Sequence, residues 1–206
     1  MTAWYRNVDW SDAIAADFER RLARSRHQKA QNLSIQGSHL IARHPAIAHR
    51  LLARAVAMED AHETPRACAG LALASLALGD VDGALTAYET ALEWQMRNRG
   101  TVAVHPADYA FLIGLFERSD RLAAALPIID TLPDEAMFGP DAQVLCAKAL
   151  VGAMAGRTDH ARGYAEQALP LMEDMPDVAA LGISTGTLRA RLETLAGASR
   201  PGHRRG

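Results

Sequence analysis

Aromatic side chains make up only 5% of this 206-residue chain, and segments that alternate apolar and polar residues in the manner of strands are few. The chain is instead rich in Ala and Leu, which argues for an all-α fold. Cysteine is scarce as well. Cys68 and Cys146 each fall inside a predicted helix, so buried reduced thiols are expected rather than a disulfide, and a cytoplasmic setting follows from that. No apolar run approaches the ~20 residues of a membrane-spanning helix, and no apolar stretch follows Met1 as a signal peptide requires. An excess of one charge is also missing. The formal net charge of −2 gives neither nucleic acid nor an anionic membrane a general attraction.

Motifs that carry chemistry are missing too. There is no Gly-rich phosphate loop, no H-E-x-x-H, no Cys-x-x-Cys and no calcium loop. Gly182-Ile183-Ser184-Thr185-Gly186 fits G-x-S-x-G, but a nucleophile elbow needs a strand before its serine and Asp and His after it. Here the flanks read as helix, and the one later histidine is His203 in the tail. His39, His44 and His49 recur every five residues, a step of roughly 500° that takes them off a common helix face. No metal site, no cofactor and no enzymatic activity are therefore expected.

What is present is concentrated in Cys68 to Leu92. Ala67 to Leu78 is almost wholly apolar, with small residues interleaved, as in a buried helix. Gly79 ends it and Asp80 caps the next helix. There Ala84, Leu85, Tyr88, Ala91 and Leu92 mark one apolar face. Asp82, Thr86, Glu89, Thr90 and Glu93 fall mostly on the other. Small alanines at the crossing let the two helices approach closely, with Tyr88 between them.

This unit resembles the tetratricopeptide repeat, with Ala72 at the small position of the first helix and Ala84, Tyr88 and Ala91 at those of the second. It departs from that pattern at Cys68, where a bulky residue is usual, and at Met96, where a proline is expected. Copies of the second-helix pattern start at Ala48, Ala124 and Ala161, with leading alanines 36, 40 and 37 residues apart. The family's spacing is about 34, so the loops here are longer. The resemblance implies one domain over residues 1–198: a right-handed superhelical stack of about four antiparallel helix hairpins, a tetratricopeptide-like solenoid with capping helices at both ends. A disordered basic tail, 199–206, would follow. The opening WYRN-x-x-W and its basic helix are also similar to bacterial repeat proteins, a likeness that carries no function.

In chain order, Trp4, Tyr5 and Trp10 seal the first hairpin or, alternatively, anchor a partner. Ser11 caps a helix from Asp12 that turns Ile14, Phe18 and Leu22 inward. Gln31 to Arg43 and Pro45 to Met58 form the first hairpin, with proline at a helix start. Pro106 to Arg118 and Arg121 to Leu132 form the third, where Pro127 should kink or shorten the second helix. Residues 131–141 are the clearest break and read as a loop within the stack. The last repeat runs from Asp141 to Met172, and a capping helix follows from Asp177 to Ala196.

Charge is uneven. Residues 1–58 hold nine Lys/Arg against four Asp/Glu, and residues 130–177 hold three against nine. Solvated faces account for this, although a gradient could also steer a charged partner or pair two copies.

In the tetratricopeptide family the first helices line a concave groove that holds peptides or helices. The resemblance implies a partner-binding surface at Leu73, Leu76, Ala77, Tyr109, Ile113, Phe116, Leu150, Ala153 and Met154. The family's carboxylate-clamp pattern of Lys, Asn and Arg is absent from these positions. An apolar groove is filled by a protein or peptide partner, by the chain's own ends, or by a twin in a homodimer. A non-enzymatic binding module is the reading carried forward. A structural homodimer is the alternative, and a toxin-neutralising or chaperone-like role fits the same fold.

Overall fold

The computed structural model describes residues 3–98, 103–136, 139–174 and 184–197. Among them the fold is all-α apart from one very small hairpin. The chain divides into two compact units, Met1–Val104 and His105–Gly206.

The first unit contains α1 (Asp12–Arg24), α2 (Lys29–Leu40), α3 (Pro45–Val56), α4 (Thr64–Ala77) and α5 (Val81–Arg97). Local chemistry sets the boundaries. The Ser11 hydroxyl accepts from the Ile14 N–H at the start of α1, and Pro45 opens α3, where its missing N–H leaves no helical bond unmade. Gly79, at φ 77°, stops α4 in the left-handed region, and Asp80 then accepts from the Gly83 N–H to start α5. Consecutive helices α2 to α5 pack in sequence, and α2 also touches α4.

The core beneath them is Phe18, Leu22, Leu33, Leu40, Leu51 and Leu52, with buried alanines from α3 and α4. Gly37 and Gly70 are both notches for Leu52. A Cβ would stand 2.6 Å from the Leu52 Cγ at Gly37, and 2.8 Å from its Cδ2 at Gly70. Three helices can therefore close on one leucine only because two of them lack a side chain there. The N-terminal aromatics cover this core. The Trp4 and Trp10 rings lie 5.3 and 5.6 Å from Phe18, and Tyr5 stands edge-on to Trp4. They have the sealing position expected of them.

The second unit contains α6 (Pro106–Leu115), a 3-10 turn (Ser119–Arg121), α7 (Leu122–Thr131) and α8 (Ala142–Met154). After them come α9 (Thr158–Ala168), a second 3-10 segment (Leu169–Asp174) and α10 (Thr185–Leu195). Its core holds Tyr109, Ile113, Leu115, Leu145, Leu150, Leu188 and Leu192. Helix α7 continues through Pro127. Between α7 and α8, where a loop was expected, β1 (Glu135–Ala136) and β2 (Gly139–Pro140) form an antiparallel pair. Helix α10 is shorter than the expected capping helix, and its predicted start at Asp177 lies outside the described residues, as does the basic tail. No described helix is long and apolar enough to cross a membrane.

Candidate binding clefts

The nine expected partner-binding residues separate by burial. Tyr109, Ile113 and Leu150 are at most 1% exposed, and Leu76 is also buried. They belong to the cores of their units, because helices packed on several sides have little free face for a groove. Leu73 and Ala77 are exposed one helical turn apart on α4, and Phe116, Ala153 and Met154 are half-buried.

Three of the nine meet in one place. Leu150, Ala153 and Met154, on the last turns of α8, line a cleft of about 450 Å³ with Glu117, Ser119, Arg191, Thr194 and Leu195. Spacing explains the two walls. Residues 150, 153 and 154 share one side of α8, and 191, 194 and 195 share one side of α10. The adjoining side of α10 buries Leu188 and Leu192. Arg191 fixes the second wall. Its guanidinium donates to the carbonyls of Leu115 (2.7 Å) and Gly114 (3.0 Å) and pairs with Glu117 at 3.0 Å. The Leu115 carbonyl near the end of α6, which takes no backbone donor, is thereby satisfied, and that of Gly114 gains a donor beyond its backbone ones.

The first unit has a cleft of different character, about 410 Å³, that the sequence reading passed over. Gln31, Ser34, Ile35, Ser38 and His39 of α2 line it, joined by Glu63, by Arg66 of α4 and by Arg6. The signal was available, since 31, 34, 35, 38 and 39 repeat at helical spacing. Four of the five are polar, so the spacing does not stand out as an apolar stripe.

A third, smaller pocket of about 150 Å³ gathers Asp130, Lys148, Arg157, His160 and Tyr164. Its charges are committed to one another. Lys148 is only 6% exposed. It donates to the Leu132 carbonyl (2.6 Å) and to Asp134, and sits 5.1 Å from the Tyr164 ring centre. Arg157 grips Asp130 with two donors, and that hydrogen-bonded pairing holds the Asp130 carboxyl below its ordinary pKa. These contacts tie the 131–141 excursion down to α8.

Nothing in these clefts is arranged as a nucleophile with its base. Ser184, of the G-x-S-x-G match, uses its hydroxyl to accept from the Thr187 N–H as the cap of α10; Gly182 and Ile183 lie outside the described residues. Burial raises the pKa of Asp108, opposed by a 2.7 Å bond from Gln143, but that carboxyl lines none of the three. Among the described residues, no three His, Cys, Asp or Glu side chains are grouped to hold a metal ion. The chain matches no known protein family, no curated protein and no solved structure.

Proposed function

We propose that this chain is a tetratricopeptide-like binding module, non-enzymatic, that holds an apolar segment of a protein partner. The order of packing supports the hairpin stack within each unit. Helices pair with their chain neighbours, and alternate helices also touch, α2 with α4, α6 with α8 and α8 with α10. That pattern is what nearest-neighbour stacking of hairpins produces.

One observation carries the binding role. The half-buried Ala153 and Met154, with Leu150 as floor, open into the α8–α10 cleft as apolar surface rimmed by the charges of Glu117 and Arg191. An amphipathic helix presents an apolar stripe flanked by charged residues, and such a helix fits a groove of this kind.

The test is a displayed library of amphipathic helices, selected on the native chain and counter-screened on Ala153→Arg. Ala153 is at the surface of the cleft, so the variant should keep its helicity and melting temperature while losing the selected peptides. Peptides that bind both proteins equally, or none selected at all, would reject the cleft as the binding surface. A particle mass near twice 22.2 kDa in the native chain and not the variant would instead assign the cleft to self-association.

A further inference from the structure

The cleft of the first unit has side chains with no internal work to do. Ser34 is 4% exposed, yet its hydroxyl makes no hydrogen bond among the described residues, and the same holds for the Gln31 amide and the His39 ring. The Ser34 hydroxyl is not sealed from solvent, so it is open to a ligand in the cleft. Arg6 has the Tyr5 ring at 5.9 Å as its neighbour and no carboxylate partner. Arg66 approaches Glu63 at 3.6 Å, beyond hydrogen-bond reach, so its donors remain unspent.

The placement of Arg6 is built in. Gln36, with no exposed surface, accepts from the Asn7 backbone N–H and from Asn7 Nδ2, both at 3.1 Å, and returns a bond to the Asn7 carbonyl at 2.8 Å. A buried amide thus pins the segment carrying Arg6 against α2. Two guanidiniums and one buried carboxylate line the cleft and leave it a surplus of one positive charge. That balance suits a carboxylate better than a phosphoryl group, which carries close to two charges. Glu63 lines the same cleft and is buried, so it repels an anion pushed deep, and the anion stays at the rim, within reach of a side chain from an extended segment lying along the helices.

The exposed line of α4 continues beyond Arg66 to Leu73 and Ala77. Seven residues of helix rise about 10 Å, and an extended peptide in the polyproline II form covers that distance in about three residues, one full turn, which returns its side chains to the same face. We propose that this face of α2 and α4 docks an extended acidic segment of a protein partner. A Glu or Asp side chain would lie between Arg6 and Arg66, and an apolar residue three positions away would lie on Leu73. This site shares no residue with the α8–α10 cleft, and either can fail without the other.

The probe is a blocked octapeptide with one Glu and a Leu three positions on, labelled for fluorescence anisotropy. It is compared with its Gln twin, with a phosphoserine twin, and with versions that set Leu one, two or four positions away. The expected result is binding by the native chain that weakens about tenfold for the Gln twin, for the Arg66→Ala chain and for the Arg6→Ala chain. Binding should also fall with added salt, as screening of exposed charges requires. The three-residue spacing should bind best, and Leu73→Ser should remove that preference. Both arginines are exposed, so these variants should melt as the native chain does. No binding, equal binding of the Glu and Gln peptides, tighter binding of the phosphoserine twin, or indifference to both arginine variants would each overturn the proposal.

Discussion

The first unit closes its core with rings, and the second closes its own with cations. Trp4 and Trp10 lie over Phe18 and shield leucines from water without a charged group taking part. The second unit has no tryptophan. There Lys148 reaches the Leu132 carbonyl, Arg191 reaches those of Leu115 and Gly114, and Arg157 clasps Asp130. The difference follows from connectivity. An apolar lid removes water from a continuous surface. A chain that leaves its helices at the end of α6 and again between α7 and α8 exposes backbone carbonyls, and a long cationic side chain both reaches these and retains an apolar stem.

The comparison is breakable from either side. The largest effect is expected from Ile113→Arg, which places an unpaired charge in the second core. Uncompensated buried charge costs on the order of several kcal/mol, so Cys146 should lose its protection from thiol reagents. Cys68, in the other unit, reports whether the first unit opens with it. A normally melting Ile113→Arg chain would refute the assignment of Ile113 to the core.

Phe18→Ala comes next. Loss of a buried phenyl group costs about 3–5 kcal/mol. All three tryptophans lie in the first unit, so urea unfolding followed by their fluorescence measures that unit directly. Lys148→Met fills the volume but leaves the Leu132 carbonyl without its donor. Such a loss costs about 1–3 kcal/mol, read by urea unfolding of the second unit. A neutral result would mean that packing of the stem, not the charge, holds the 131–141 excursion.

A smaller effect depends on pH. Burial raises the Cys68 thiol to about 11, and burial, then the charge of Asp141, raises Cys146 to about 12, both from an ordinary 9.0. The unfolded thiols lose protons first, so the stability they contribute is full below pH 9 and falls as pH climbs toward 11–12. Replacing both cysteines by Ala should flatten that fall in denaturation curves taken between pH 8.5 and 10.5. Leu73→Ser should matter least. A 48%-exposed side chain away from special features changes stability by about 0.5 kcal/mol or less, and chemical denaturation within that margin would leave Leu73 free for contact with a partner.

Much of the helical framework was legible in the sequence because its signals are local. Gly79-Asp80, Ser11, Pro45 and Pro106 set helix boundaries through backbone constraints and short-range capping, and the structure follows them closely. The division at Val104 was not legible, since the sequence reads as one domain over residues 1–198. The chain's most conspicuous break, at 131–141, is stitched down by Lys148, a contact sixteen residues away that no local pattern shows. For the clefts, the family resemblance pointed to Ala153 and Met154 but could not tell them from the buried Ile113, because an apolar residue on a helix has the same period whether its neighbour is another helix or water. Arg6 was unreadable as a site residue, since its place depends on the bond between Asn7 and Gln36, twenty-nine positions apart.

Leu52 occupies notches in two other helices at once, and this has a consequence for how the chain can change. An alanine at Gly37 collides with Leu52, but would be accommodated if position 52 had first become smaller. The same holds at Gly70. Substitutions at these three positions should therefore be epistatic: the order in which they arise decides which are tolerated. A lineage that shortened Leu52 first could accept side chains at both glycines. One that began at either glycine would meet a barrier at its first step.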